Sequence, residues 1–170
     1  MASGKTTFGR ALARRLGWEF LDLDEEIERR EGKPVAGIME ERGEAGFRLL
    51  ESMALKGTVS LKNTVVACGG GTPCFRDNME FMTLHGLTLW LTASPGRIVE
   101  RILEAGATRP LVAGKSGEEL LDFVSAHLLQ RQHHYFKAQW RLSGEHLECE
   151  EEIASAVDAF LAECPLRGLN

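Results

Sequence analysis

The chain has 170 residues, of which 44% are hydrophobic, 26% charged and 7% aromatic; that suits one domain with a sizeable core and excludes disorder or low-complexity architecture. Lys and Arg number 20 against 25 Asp and Glu, a formal net charge of −5, so the basic excess of a nucleic-acid binder is missing and no nucleic-acid partner is expected. No apolar run approaches the ~18 residues of a membrane span, and MASGKTTFGR lacks the apolar stretch of a signal peptide, so a cytoplasmic protein with no membrane partner is expected.

Phe8 to Leu16 puts Phe8, Leu12, Ala13 and Leu16 on one helical face, with Gly17 as C-terminal cap. Trp18 to Leu23 (WEFLDL) is a strand candidate, followed by a helix over Asp24 to Glu31 that Asp24 caps. Gly43 to Lys62 looks helical in its body. Asn63 to Cys68 (NTVVAC) is β-branched and apolar and reads as a fully buried strand, stopped at once by Gly69, Gly70 and Gly71. Asn78 to His85 is a short helix and Leu87 to Leu91 (LTLWL) a second buried strand. Ser94 and Pro95 open a helix that runs to about Leu103. Ala105 to Gly117 has no clean period and is expected to be a mobile loop. Glu118 to Tyr135 is a long helix, Gln139 to Leu142 a weak strand and Glu150 to Leu161 a last helix. Strands alternating with helices imply an α/β fold, a three-layer arrangement with a parallel sheet covered on both faces. No repeat or linker divides residues 1–170.

The four cysteines, Cys68, Cys74, Cys149 and Cys164, form no C-x-x-C pair and have no His at zinc-finger spacing. Reduced, incidental thiols are expected. His133 and His134 are adjacent and so face different directions on a helix, which argues against a metal pair.

Gly4-Lys5-Thr6-Thr7 matches the second half of the phosphate loop G-x-x-x-x-G-K-[ST], with a helix following as the motif requires. There, successive N–H groups and the helix N-terminus make an anion nest, Lys5 spans terminal phosphates and the Thr6 hydroxyl ligates magnesium. A solvated lysine at a helix start is the plain alternative. The motif's first glycine would fall two positions before Met1. The expectation is therefore that Met1 is internal and about ten residues precede it, a central strand of ~5 plus the opening of the loop.

Five further features follow in order. In Phe20-Leu21-Asp22-Leu23-Asp24 two aspartates at strand spacing point to one side of a sheet end, one for a magnesium ion and its neighbour for a substrate hydroxyl. In GEAGFRLLE, Arg48 and Glu51 are i,i+3 neighbours, so an arginine held by a glutamate could form a carboxylate receptor. A surface ion pair is the alternative. Gly69, Gly70 and Gly71 after a strand let a ligand approach the backbone. Arg109 in TRPL lies in the loop, where a closing segment can carry an arginine to a transferring phosphoryl group. Arg131 in RQHHY is a second possible carboxylate ligand.

On MASGKTT, FLDLD, GEAGFRLLE, CGGG, TRPL and RQHHY, in this order, the chain resembles the shikimate kinase family from Met1 to the final helix. The resemblance implies a P-loop kinase fold of nucleoside-monophosphate-kinase type, with a five-stranded parallel sheet, a shikimate-binding insertion over 24–62 and a lid over 105–117. It implies Mg2+-dependent transfer of the ATP γ-phosphoryl group to the 3-hydroxyl of shikimate, in aromatic amino acid biosynthesis, by a monomer. It further implies that Gly4, Lys5, Thr6 and Thr7 cradle the phosphates, that Thr6 and Asp22 serve the metal, and that Asp24 contacts the shikimate hydroxyls and acts as base. Arg48 and Arg131 grip the carboxylate, Glu51 orients Arg48, and Gly69, Gly70 and Gly71 flank the ring. Arg109 approaches the transferred group and Arg101 stacks on adenine. The rivals are another small-molecule kinase of this fold, such as a gluconate kinase, and a non-catalytic binding module. Both substrates are anions and the chain is negative, so Lys5, Arg48, Arg101, Arg109 and Arg131 must converge on one cleft.

Overall fold

The computed structural model describes residues 2–105 and 117–164. The chain alternates as expected: α1 (Lys5–Leu16), β1 (Glu19–Asp22), α2 (Leu23–Glu31), α3 (Val35–Gly57), β2 (Thr64–Ala67), α4 (Asn78–His85), β3 (Leu89–Thr92), α5 (Pro95–Glu104), α6 (Gly117–Tyr135), β4 (Trp140–Ser143) and α7 (Glu150–Glu163), with 3-10 turns at Thr58–Ser60 and Thr72–Cys74. The lid expected over 105–117, Arg109 included, lies outside the described residues save for its two end positions.

All strand pairs are parallel. β1 pairs with β2, Glu19 opposite Thr64 and Asp22 opposite Ala67. β3 pairs with β4, Leu89 opposite Trp140 and Thr92 opposite Ser143. Among the described residues no ladder joins β2 to β3, so the implied five-stranded sheet stands as four strands in two pairs.

Alternate residues along each strand send side chains to opposite faces, and the packing follows that rule. Val65, Leu89 and Leu91 meet Phe8 and Leu12 of α1 and Val157, Phe160 and Leu161 of α7 on one face. Leu21 and Val66 meet Leu23 and Ile27 of α2 and Ile38, Phe47 and Leu55 of α3 on the other. Trp90, opposite in sense to its neighbours, stacks on Tyr135 and Phe136 at the end of α6, at centroid distances of 5.6 and 5.1 Å. A third cluster joins α5 and α6 through Ile98, Ile102, Leu120 and Val124. The result is the three-layer α/β arrangement with helices on both faces.

Several local expectations need correction. α1 begins three residues earlier than its apolar stripe, at Lys5, so the lysine and both threonines are helical. α2 is capped by Asp22, whose carboxylate accepts from the Asp24 N–H at 3.0 Å, and Asp24 stands in the first turn. The helix expected from Gly43 to Lys62 is the second half of α3: Gly43 adopts φ 69°, ψ 174°, which breaks a longer helix into two. β2 and β3 are half-buried over most of their length rather than fully buried.

At Gly43 no atom lies within 4 Å of where a Cβ would stand, so only its dihedrals demand glycine. Gly43→Ala should lower stability by about 1–3 kcal/mol through backbone strain alone, read as a lower urea midpoint at unchanged m-value. An unchanged midpoint would mean that the two helical segments join without this conformation.

Candidate active site

The C-terminal ends of β1 and β2 and the N-terminus of α1 meet at one edge of the molecule. Gly4 sits ahead of α1 at φ 88°, ψ 9°, a left-handed position. No side chain caps this helix, so its first N–H groups are directed out of the edge. The Thr6 hydroxyl donates to Asp22 Oδ2 at 2.9 Å, and Asp22 Oδ1 accepts from the Asp24 N–H. Asp22, 9% exposed, thus ties the phosphate-loop helix, the end of β1 and the start of α2 into one unit. The oxygens of Thr6 and Asp22 are the hard donors that Mg2+ prefers, and one carboxylate plus a hydroxyl leaves room for phosphate oxygens and water. The residues present therefore fit that ion.

The break at Gly43 starts the segment that carries Arg48 and Glu51. Glu51 is 1% exposed. One of its oxygens pairs with Arg48 Nη1 and the other accepts from the Thr72 hydroxyl at 2.7 Å. Arg48 Nη2 also donates to Glu44 at 3.1 Å, and Glu44 is 59% exposed. The glycine run is needed by this pair. A Cβ on Gly69 would stand 2.5 Å from Glu51 Oε1 and 3.3 Å from Asp24 Oδ1, and a Cβ on Gly71 would collide with the Arg48 guanidinium. Below them, Asn78 donates to the Thr72 carbonyl at 2.8 Å and accepts from Ser52 at 2.7 Å, which fixes the turn after β2 against α3.

Arg131 and Tyr135 approach the same glycines from α6. The Tyr135 hydroxyl donates to the Gly70 carbonyl at 2.6 Å, and the Arg131 guanidinium lies near enough to favour its charged form. The Cys74 thiol lies within electrostatic reach of Arg131, Arg48 and Glu51. The Cys68 thiol lies within reach of Lys5, Glu51, Asp24 and Asp22. Glu51 is common to both groups, so Lys5 on one side and Arg48 and Arg131 on the other lie around one buried carboxylate beside the glycine run. Burial pushes the Cys68 thiol up to about 12; Lys5 opposes this, and the three carboxylates add to it. Burial also raises Cys74 and Tyr135.

Arg101 stands at the outer end of the phosphate loop. It donates to Glu148 at 2.6 Å and to the Gly144 carbonyl at 2.8 Å, with its side chain 13% exposed. Its guanidinium thus ties α5 to the segment after β4. The Arg101 and Arg97 guanidiniums hold Glu148 well below the usual carboxylate range, to about 2. Among the described residues, the grouping of His146, Glu148 and Glu152 has metal-like spacing. Its glutamates are already engaged, Glu148 by these arginines and Glu152 by the Glu148 N–H at 2.9 Å.

Sequence reasoning missed Tyr135, Thr72, Asn78 and Glu148. Only Tyr135 carried a local signal, four residues after Arg131 on one helix.

A family model for shikimate kinase matches residues 1–162. A shikimate kinase of Phocaeicola vulgatus is 43% identical over 160 residues, covering 94% of this chain and 91% of the relative. The crystal structure of shikimate kinase from Bacteroides thetaiotaomicron superposes with a TM-score of 0.92 at 42% identity, covering 96% of this chain and 94% of that one. Shikimate kinase from Acinetobacter baumannii in complex with shikimate superposes with a TM-score of 0.82 at 32% identity, covering 95% and 86%.

The electrostatics are testable through the thiols. The exposed Cys149 should react with iodoacetamide at pH 8 at least ~100-fold faster than Cys68, whose thiolate fraction is tiny at a pKa of about 12. The Cys68 rate should still climb about tenfold per pH unit at pH 10. Equal rates, read by peptide mass spectrometry, would place Cys68 outside the buried group of carboxylates.

Proposed function

The chain belongs to the shikimate kinase family, and we propose that it transfers the γ-phosphoryl group of ATP to the 3-hydroxyl group of shikimate, as a cytoplasmic monomer. The single observation that supports the assignment of residues is the position of Glu51, which shares the surroundings of Cys68 with Lys5 and those of Cys74 with Arg48 and Arg131.

In this reading α2 and α3, residues 24–62, form the shikimate-binding part. Arg48 and Arg131 take the substrate carboxylate. Each charge-assisted hydrogen bond is worth about 1.5–3 kcal/mol net, so two arginines supply roughly 3–6 kcal/mol, enough to choose an acid over an uncharged polyol. Arg48 is held on its inner side by buried Glu51. On its outer side it meets Glu44, and an exposed pair of that kind is worth at most ~1 kcal/mol. The substrate carboxylate therefore displaces Glu44 at little cost while Glu51 keeps the guanidinium aimed. Gly69, Gly70 and Gly71 let the ring lie against backbone.

At the other end Gly4, Lys5, Thr6 and Thr7 receive the ATP phosphates, through the N–H groups of α1 and the Lys5 ammonium. Thr6 and Asp22 would hold Mg2+, which when bound would offset charge on the phosphate oxygens. Asp24, which faces Gly69 beside Glu51, aligns the attacking hydroxyl and takes its proton. The resemblance assigns Arg109 to the transferred group and Arg101 to the adenine. Little covalent chemistry is asked of the protein: placing the hydroxyl in line and neutralising phosphate charge carry the step.

A substrate panel with coupled detection of ADP tests the reading. Shikimate should exceed gluconate in kcat/KM by at least ~100-fold; equal rates would favour a broader hydroxy-acid kinase. Arg48→Ala should raise the shikimate Kd at least tenfold, about 1.4 kcal/mol, with the ATP Kd nearly unchanged. Equal losses for both ligands would make Arg48 structural. Asp24→Asn should cut kcat by ~10²–10⁴ at near-constant ATP affinity; near-normal turnover would remove Asp24 from the reacting centre.

A further inference from the structure

Arg48 carries two carboxylate partners of opposite character. Buried Glu51 pairs with Nη1, and exposed Glu44 accepts from Nη2 at 3.1 Å. The spacings are i,i+3 and i,i+4, so one stretch of α3 supplies the arginine and both of its acids. The two acids differ in what their release costs. Glu51 also accepts from the Thr72 hydroxyl at 2.7 Å, and parting it from Arg48 would strand a buried charge without its counter-ion. Glu44, on release, returns to water.

Glu44 also stands where a ligand carboxylate has to arrive. A guanidinium is a rigid planar fork of N–H donors. Both edges that can grip a carboxylate at two points, Nε with Nη2 and Nη1 with Nη2, include Nη2. Glu51 holds Nη1 and Glu44 holds Nη2, so the acid on the surface engages the atom that either grip requires. His127, one turn before Arg131 on α6, lies within electrostatic reach of Glu44 and of Arg131. The surroundings of Glu44 thus extend to the helix that carries the second arginine.

We propose that Glu44 is a built-in competitor of the substrate carboxylate: it occupies Arg48 in the free protein, yields it to shikimate and retakes it as the product leaves. The proposal rests on the kinase reading and adds to it a residue that sets affinity and release. Glu44 acts through Arg48, so it is a positioning residue rather than a catalytic one. Exposed ion pairs are weak enough that Glu44 holds Arg48 for about half to four-fifths of the time. A ligand that needs the arginine free binds more weakly in proportion to the free fraction, so Glu44 raises the shikimate Kd about two- to fivefold. The phosphorylated product keeps the carboxylate and is weakened by the same factor, which favours its departure.

Titration of Glu44→Gln, Glu44→Ala and Glu41→Gln with shikimate, its 3-phosphate and ATP tests this. Both Glu44 variants should bind shikimate and its 3-phosphate about two- to fivefold more tightly, with the ATP Kd unchanged and kcat no higher than in the unaltered chain. Glu41 is also exposed, and its ion pairs are with Lys33 and Arg42. Glu41→Gln removes the same charge from the same stretch and should leave the shikimate Kd unchanged. A further readout needs no substrate: phenylglyoxal should modify Arg48 at least ~twofold faster in the Glu44 variants, measured by peptide mass spectrometry, because the free fraction rises. Equal or weaker shikimate binding in the Glu44 variants overturns the proposal, since Glu44 would then support Arg48 or play no part. So does equal tightening in Glu41→Gln, which would make the effect one of net charge, and so does an unchanged rate of Arg48 modification. An unaltered chain that neither binds nor phosphorylates shikimate, with faster Arg48 modification in the Glu44 variants, would count against the kinase reading and leave Glu44 as the occupant of Arg48.

Discussion

The arrangement turns on a single buried carboxylate. Removing Glu51 from water carries a desolvation penalty of several kcal/mol, and the surroundings must answer it. They do so with the Arg48 guanidinium on one oxygen and the Thr72 hydroxyl on the other. Two further sequence features follow from this. Gly69 has no side chain because Glu51 stands where its Cβ would be, and Gly71 has none because Arg48 does. The glutamate, the arginine and the glycines, separate motifs along the chain, are one packed unit in space. A buried pair of this kind is a poor device for stability, since apolar residues of similar volume serve as well or better. Its value is directional: Glu51 fixes the guanidinium through Nη1, while Nη2 donates to the exposed Glu44.

What was legible in the sequence was what short spacing encodes. Arg48 and Glu51 are three apart on a helix, Gly17 ends α1 where the apolar stripe stops, and Ser94 with Pro95 opens α5. The misreadings have a common cause. Asp24 looked like the cap of α2 because it precedes an apolar-periodic run, yet Asp22 two residues earlier already accepts its N–H. Gly43 looked like a helix start because the residues after it are periodic, whereas its dihedrals break a helix already under way. The long-range partners left no local trace. Tyr135 reaches Gly70 across 65 positions and Arg101 reaches Glu148 across 47, and neither pair has a period to reveal it.

The strands show the same limit from the other side. NTVVAC and LTLWL carry the near-continuous apolar pattern of strands covered on both faces. The helices cover the faces, but one edge of each strand borders a cavity, and the side chains are half-exposed. Each large apolar side chain brought from exposure to full burial contributes about 1.5–3 kcal/mol, a large share of the 5–15 kcal/mol by which a domain is usually stable.

A chain of net charge −5 that serves two anions has to solve a placement problem, and its acids are part of the answer. Asp22, Asp24 and Glu51 act on the Cys68 thiol together with Lys5, and Glu51 acts on the Cys74 thiol together with Arg48 and Arg131. Left bare, they would repel both substrates. Asp22 instead accepts from the Thr6 hydroxyl and the Asp24 N–H, and Glu51 from Thr72 and Arg48, so donors already engage these two carboxylates. Their charge is therefore largely compensated from within the protein, by the Thr6 and Thr72 hydroxyls, a backbone N–H and the Arg48 guanidinium. Asp24 completes the group, facing Gly69 beside Glu51.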